Sequence, residues 1–166
     1  MLALAGIASG AVAAPAGART AVATARCDPG LQTASAGTRL GPLLFRAGWD
    51  GYASWPGKVR NPDTGTYYAK SGITARAGTV ATLSIAPAYR GVADLIYGQG
   101  PDGDHVLSDA VRFSSCRHGT TFFSGGLVVG GPECVELRVR ARGSRAVFRR
   151  MVSIDRGDSC PALAPL

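Results

Sequence analysis

Residues 134–142 read CVELRVRAR. Val135, Leu137 and Val139 alternate with Glu136, Arg138, Arg140 and, one step on, Arg142. Successive side chains of a strand point to opposite faces, so a period of two puts the aliphatic set on one side and the charged set on the other. A helix would mix the two sets around its circumference. The stretch is therefore a strand with one buried and one wet face, as antiparallel sheets commonly have.

The pattern continues outward from there. In AVFRRMVSI (146–154), Phe148, Val152 and Ile154 share a face. In TVATLSIAP (79–87), Ala81, Leu83 and Ile85 do so, and in DAVRFSSC (109–116), Val111 and Phe113. RLGPLLFRAG (39–48), SGITARAG (71–78) and GVADLIYG (91–98) are further candidate strands. Gly78, Pro87, Gly91, the GQGPDGD stretch at 98–104, the GGP triplet at 130–132 and Gly143 punctuate these runs. Gly125-Gly126 reads as a bend or bulge. No segment after the N-terminal region has a helical period. The expected fold is all-β, an Ig-like β-sandwich of about seven to eight strands. A small β-barrel is the alternative. The Cys-Trp-Cys order of true Ig domains is absent, because both tryptophans precede Cys116.

A chain of 166 residues is one domain's worth. Residues 1–25 are apolar and rich in alanine and glycine, with small residues at A-x-A spacing. They read as a signal peptide, although the basic residues that usually open one are missing; an uncleaved anchor is the competing reading. The expected organisation is a signal at 1–25, a single sandwich domain at 26–160 and a tail at 161–166. No later apolar run is long enough to cross a bilayer, so the sequence predicts a secreted or cell-wall-associated protein with no transmembrane domain after cleavage.

Four cysteines behind an export signal favour disulfides. Of the three possible pairings the expectation is Cys116–Cys134, stapling a hairpin, with Cys27–Cys160 tying start to end. Loop-closure entropy would make these worth about 3 and about 5 kcal/mol. A metal is not expected. Cys116 and His118 form only a C-x-H pair, and His105 stands well apart from them. Blue-copper spacing is absent.

No catalytic residue is assigned. The DTG at 63–65 follows a turn-like VRNP rather than an apolar strand, and one such triplet supplies one carboxylate of the two an aspartic protease needs. The GDSC at 157–160 lacks the glycine that follows a protease serine, and no nucleophile elbow occurs. Asp102, Asp104 and Asp109 do not have EF-hand spacing and read as a solvated turn.

Two features suggest binding. Of the 18 basic residues only two are lysine, and the formal net charge is +7. Such a balance attracts anions without choosing among them. Arg138, Arg140 and Arg142 share a strand face, Arg145 follows, and either Arg149 or Arg150 joins that face across the hairpin. Guanidinium groups so placed would grip the phosphates of an anionic wall polymer. Against this stands the plain reading, a wet strand face that also resists edge pairing. The second feature is an aromatic-rich connection. Trp49, Tyr52, Trp55, Tyr67 and Tyr68 would make a stacking platform for a glycan, or would simply cap one end of the sandwich. No nucleic-acid recognition motif is visible.

AGWDGY (47–52), residues 72–87, DAVRF (109–113), residues 122–139 and RRMVSI (149–154) together resemble a group of uncharacterised secreted proteins of high-GC Gram-positive bacteria. The resemblance covers most of the chain after the signal. The group has no established activity, so the resemblance implies nothing about ligand or catalysis. The sequence therefore predicts a secreted, envelope-associated binding or structural module, without cofactor and not an enzyme. The alternatives are a small secreted hydrolase with an unrecognised catalytic set and a protein–protein interaction module.

Overall fold

A computed structural model describes residues 22–28, 37–46, 59–60, 65–99, 105–154 and 160–163. Residues 1–21 of the predicted signal peptide and the run containing Trp49, Tyr52 and Trp55 lie outside them, as do Asp63, Asp102 and Asp104, whereas Ala23–Ala25, inside the span assigned to the signal, form a strand.

The protein is all-β, with three open sheets and no α-helix among the described residues. The main sheet has the order β1-β10-β7-β13-β14. Its strands are β1 (Ala23–Ala25), β7 (Val80–Ile85), β10 (Ala110–Ser114), β13 (Glu133–Ala141) and β14 (Val147–Ile154). A small sheet has the order β11-β6-β3-β2. It comprises β2 (Gly37–Leu40), β3 (Leu43–Arg46), β6 (Ile73–Ala75) and β11 (Thr121–Phe123). The third sheet, β4-β5-β12-β8-β9, holds β4 (Val59–Arg60), β5 (Tyr67–Lys70), β8 (Ala93–Gln99), β9 (His105–Ser108) and β12 (Gly125–Val129). The described strands number fourteen, more than expected, because apparent single runs divide. RLGPLLFRAG turns at Gly41 to give β2 and β3, and residues 121–129 give β11 and β12 in two different sheets.

The aliphatic half of the alternation in β13 is obeyed, whereas Glu136, expected on the wet face, is also buried. Val135, Leu137 and Val139 are fully buried, and the matching core set is Leu83 and Ile85 of β7 with Val111 and Phe113 of β10. The three sheets meet at aromatic rings. Phe113 lies edge-on to Tyr97 of β8 at 5.3 Å and to Phe123 of β11 at 4.9 Å. The Tyr97 hydroxyl donates a 2.6 Å hydrogen bond to the Ser71 carbonyl, which satisfies its one polar atom in the core. Gly98 of β8 has φ +82°, and a Cβ there would stand 2.7 Å from the Thr24 carbonyl oxygen. Glycine thus allows β1 and β8 to approach across two sheets. Phe148, grouped by periodicity with the core, is 40% exposed and instead covers Gly41 in the β2–β3 turn.

The expected disulfide pairing is overturned. The bonds are Cys27–Cys116 and Cys134–Cys160. β10 and β13 both pair antiparallel with β7, so they run the same way. Cys116 follows the end of β10 and Cys134 lies near the start of β13, roughly 30 Å apart along the strand direction at 3.4 Å per residue. β1 and β14 are opposite edges of the sheet, about 19 Å apart at 4.8 Å per strand, which separates Cys27 from Cys160. The parallel pairing of β1 with β10 supplies the real partner. Ala25 faces Phe113, the two strands leave the sheet together, and the Cα atoms of Cys27 and Cys116 come within 4.9 Å. Cys134 faces Ser153 on β14, and the Cα of Cys160 lies 5.5 Å from its own.

Candidate functional site

The charged face of β13 is the outer face of the main sheet. Its register divides the predicted arginines into two sets. Arg138 stands directly opposite Arg149 on β14, and like charges so placed repel. Glu136 relieves the repulsion. Its Oε1 accepts a 2.7 Å bond from Arg138 Nε and another of 2.7 Å from Arg149 Nε. These bonds, led by that from Arg149, hold the Glu136 carboxyl down at about 2 against the opposing effect of its burial. The same contact raises the Arg149 pKa. Arg138 and Arg149 are thus committed to an intramolecular carboxylate.

A folded-state pKa below the usual one adds stability that is present above pH 4.5 and is lost as the pH falls toward 2. The native protein is expected to lose on the order of 1 kcal/mol over that window, after allowance for solvent screening. Glu136→Gln should remove this contribution to the pH dependence. Urea titrations at stepped pH check it, and equal acid slopes in both proteins would refute the assignment.

The second set is open. Thr82, on β7, faces Arg112 of β10 on one side and Arg140 of β13 on the other. Arg142 follows two residues beyond Arg140, where its backbone N–H donates to the Val80 carbonyl at 2.8 Å. These side chains line a shallow depression of about 310 Å³, together with Val80, Ala141 and Ser144. All three arginines are exposed, and no described carboxylate pairs with any of them.

Arg145 is exposed in the β13–β14 connection and does not line the depression. Arg150 faces Leu137 on the opposite side of the sheet, so Arg149 is the residue that joins the charged face. Arg112 escaped the sequence reading. Its signal was present, since alternation in β10 puts it on the wet face between Val111 and Phe113, but only the pairing of β10 and β13 with the same β7 brings it beside Arg140.

Tyr67 and Tyr68 are neighbours on β5 and therefore point to opposite faces. Tyr67 packs against the core, while Tyr68 lies over Gly126 and burial pushes its hydroxyl pKa up. The two do not form one platform. His118 is exposed, and Asp109 meets Arg90 at 4.0 Å. Among the described residues no group of His, Cys, Asp or Glu could hold a metal, and no helix is long and apolar enough to cross a membrane. No protein-family model matches the chain, and no curated protein is significantly similar to it.

Proposed function

We propose that the protein is an extracytoplasmic, envelope-associated module that binds anionic polymer through the outer face of its main sheet. The observation that carries this reading is the cluster of Arg112, Arg140 and Arg142, exposed around one depression without a counter-charge among the described residues. Guanidinium groups stay protonated at any physiological pH, so the cluster can hold an anion but cannot accept a proton in catalysis. This favours a binder over a hydrolase. Two disulfides suit an oxidising compartment. For the framework we read the main and third sheets as the layers of an Ig-like sandwich, supported by the single buried cluster their inner faces share.

Co-sedimentation with purified cell walls tests the reading. Binding is expected at low salt and should fall steeply as salt rises, since exposed charges are screened. The triple variant Arg112→Ala/Arg140→Ala/Arg142→Ala should lose it. Arg39→Ala/Arg76→Ala/Arg117→Ala removes equal charge from other exposed positions and should retain most of it. Equal loss in both variants would reduce the site to net charge. No binding by the native protein would remove the function.

A further inference from the structure

Resting on that reading, we infer that the Arg112–Thr82–Arg140–Arg142 depression is a subsite for one phosphate group of a phosphodiester polymer with a neutral polyol or sugar spacer. The register places Arg112 and Arg140 on either side of Thr82, each about 4.8 Å away on a neighbouring strand. Arg142, which lines the same depression, stands off that row, just past the end of β13. Donors therefore approach from several directions. A phosphate presents tetrahedrally disposed oxygens and can accept from all of them. A carboxylate presents two oxygens in one plane, which a single guanidinium fork already fills. Glu136 limits the open cluster by taking up the Nε donors of both Arg138 and Arg149 and cancelling one of their two charges, so the arginines without such a partner form a compact site at this end of the face.

The lining also bears on what joins the phosphates. Val80, Ala141 and the arginine stems give apolar surface against which a carbon spacer can lie. No described aromatic side chain lines the depression, whereas single-stranded nucleic acid is held by stacking its bases on aromatic rings. A lipid headgroup would bring acyl chains with it. Of the exposed large apolar side chains among the described residues, Val22, Val92 and Phe148, none lines the site.

Fluorescence anisotropy with labelled poly(glycerol phosphate) and with polyglutamate of equal charge provides the test. The native protein should bind the phosphate polymer about tenfold more tightly, the worth of one charge-assisted bond. Arg112→Lys keeps the charge but loses the planar fork, and Thr82→Val keeps the shape but loses the hydroxyl. Each should weaken phosphate-polymer binding several-fold and leave polyglutamate binding unchanged, with thermal melts confirming that both variants fold. Equal affinity for the two polymers, or parallel losses on both, would overturn the subsite while leaving the broader anion-binding reading intact. Stronger binding to phosphatidylglycerol vesicles or to oligothymidylate would overturn the assigned polymer class. Failure to bind any of these polyanions would remove both the subsite and the proposed function.

Discussion

Replacing Phe113 by alanine is expected to lower the unfolding free energy by about 4 kcal/mol. Phe113 is fully buried on β10, and its ring touches one aromatic from each of the other two sheets, Tyr97 and Phe123. Truncation removes the transfer free energy of the ring and leaves a cavity. It also removes two edge-to-face pairs, each worth roughly 1 kcal/mol beyond burial. Relaxation can recover little, because the surrounding walls are hydrogen-bonded strands of three different sheets. Phe148→Ala is the internal comparison. That ring is 40% exposed and mainly covers Gly41, so its loss should cost on the order of 1 kcal/mol. Urea unfolding of the two variants under oxidising conditions decides the matter. A Phe113→Ala cost no larger than that of Phe148→Ala would mean that the sheets are not held together at this ring.

The buried faces of β7, β10 and β13 were legible because one side of each strand meets the core. Burial imposes a period of two, and the alternation of Leu83, Ile85, Val111, Phe113, Val135, Leu137 and Val139 records it. The turn at residues 130–132 was legible for a local reason, in that glycine and proline there interrupt any ladder. What could not be read was adjacency. Nothing in DAVRFSSC says that β10 lies on the far side of β7 from β13, so the cluster of Arg112 with Arg140 had no local trace. Glu136 looked like one more polar residue on a wet face. Its role depends on Arg149 standing opposite Arg138, and that follows from the register of the β13–β14 hairpin. The expected bend at Gly125-Gly126 proved to be the opening of β12, where a Cβ on Gly126 would stand 2.2 Å from the Ala69 carbonyl oxygen. The glycine serves a close approach between strands, which sequence alone does not distinguish from a turn.

Adjacency also governs the second large effect. Cys27→Ala/Cys116→Ala is expected to cost between about 4 and 5 kcal/mol by loop-closure entropy, and Cys134→Ala/Cys160→Ala between about 3 and 4. The order follows from sequence separations of 89 and 26 residues. The expected pairing would have put the longest loop between Cys27 and Cys160, so non-reducing peptide mapping and the stability ranking test the same assignment independently. The first bond also secures a strand that has little else to hold it. β1 is three residues long, pairs parallel to β10 at a sheet edge, and buries only Ala23 and Ala25. Without the bond, β1 should detach and leave β10 as the new edge. Amide exchange should then quicken in β10 while β13, flanked by β7 and β14, stays protected. Because β10 carries Arg112, the same variant should weaken anion binding even in conditions where the domain remains folded. Loss of the Cys134–Cys160 bond should not, since it joins the opposite end of β13 to residues beyond β14, away from the depression. If both variants bind anions equally, the position of Arg112 does not depend on β1, and the disulfide serves stability alone.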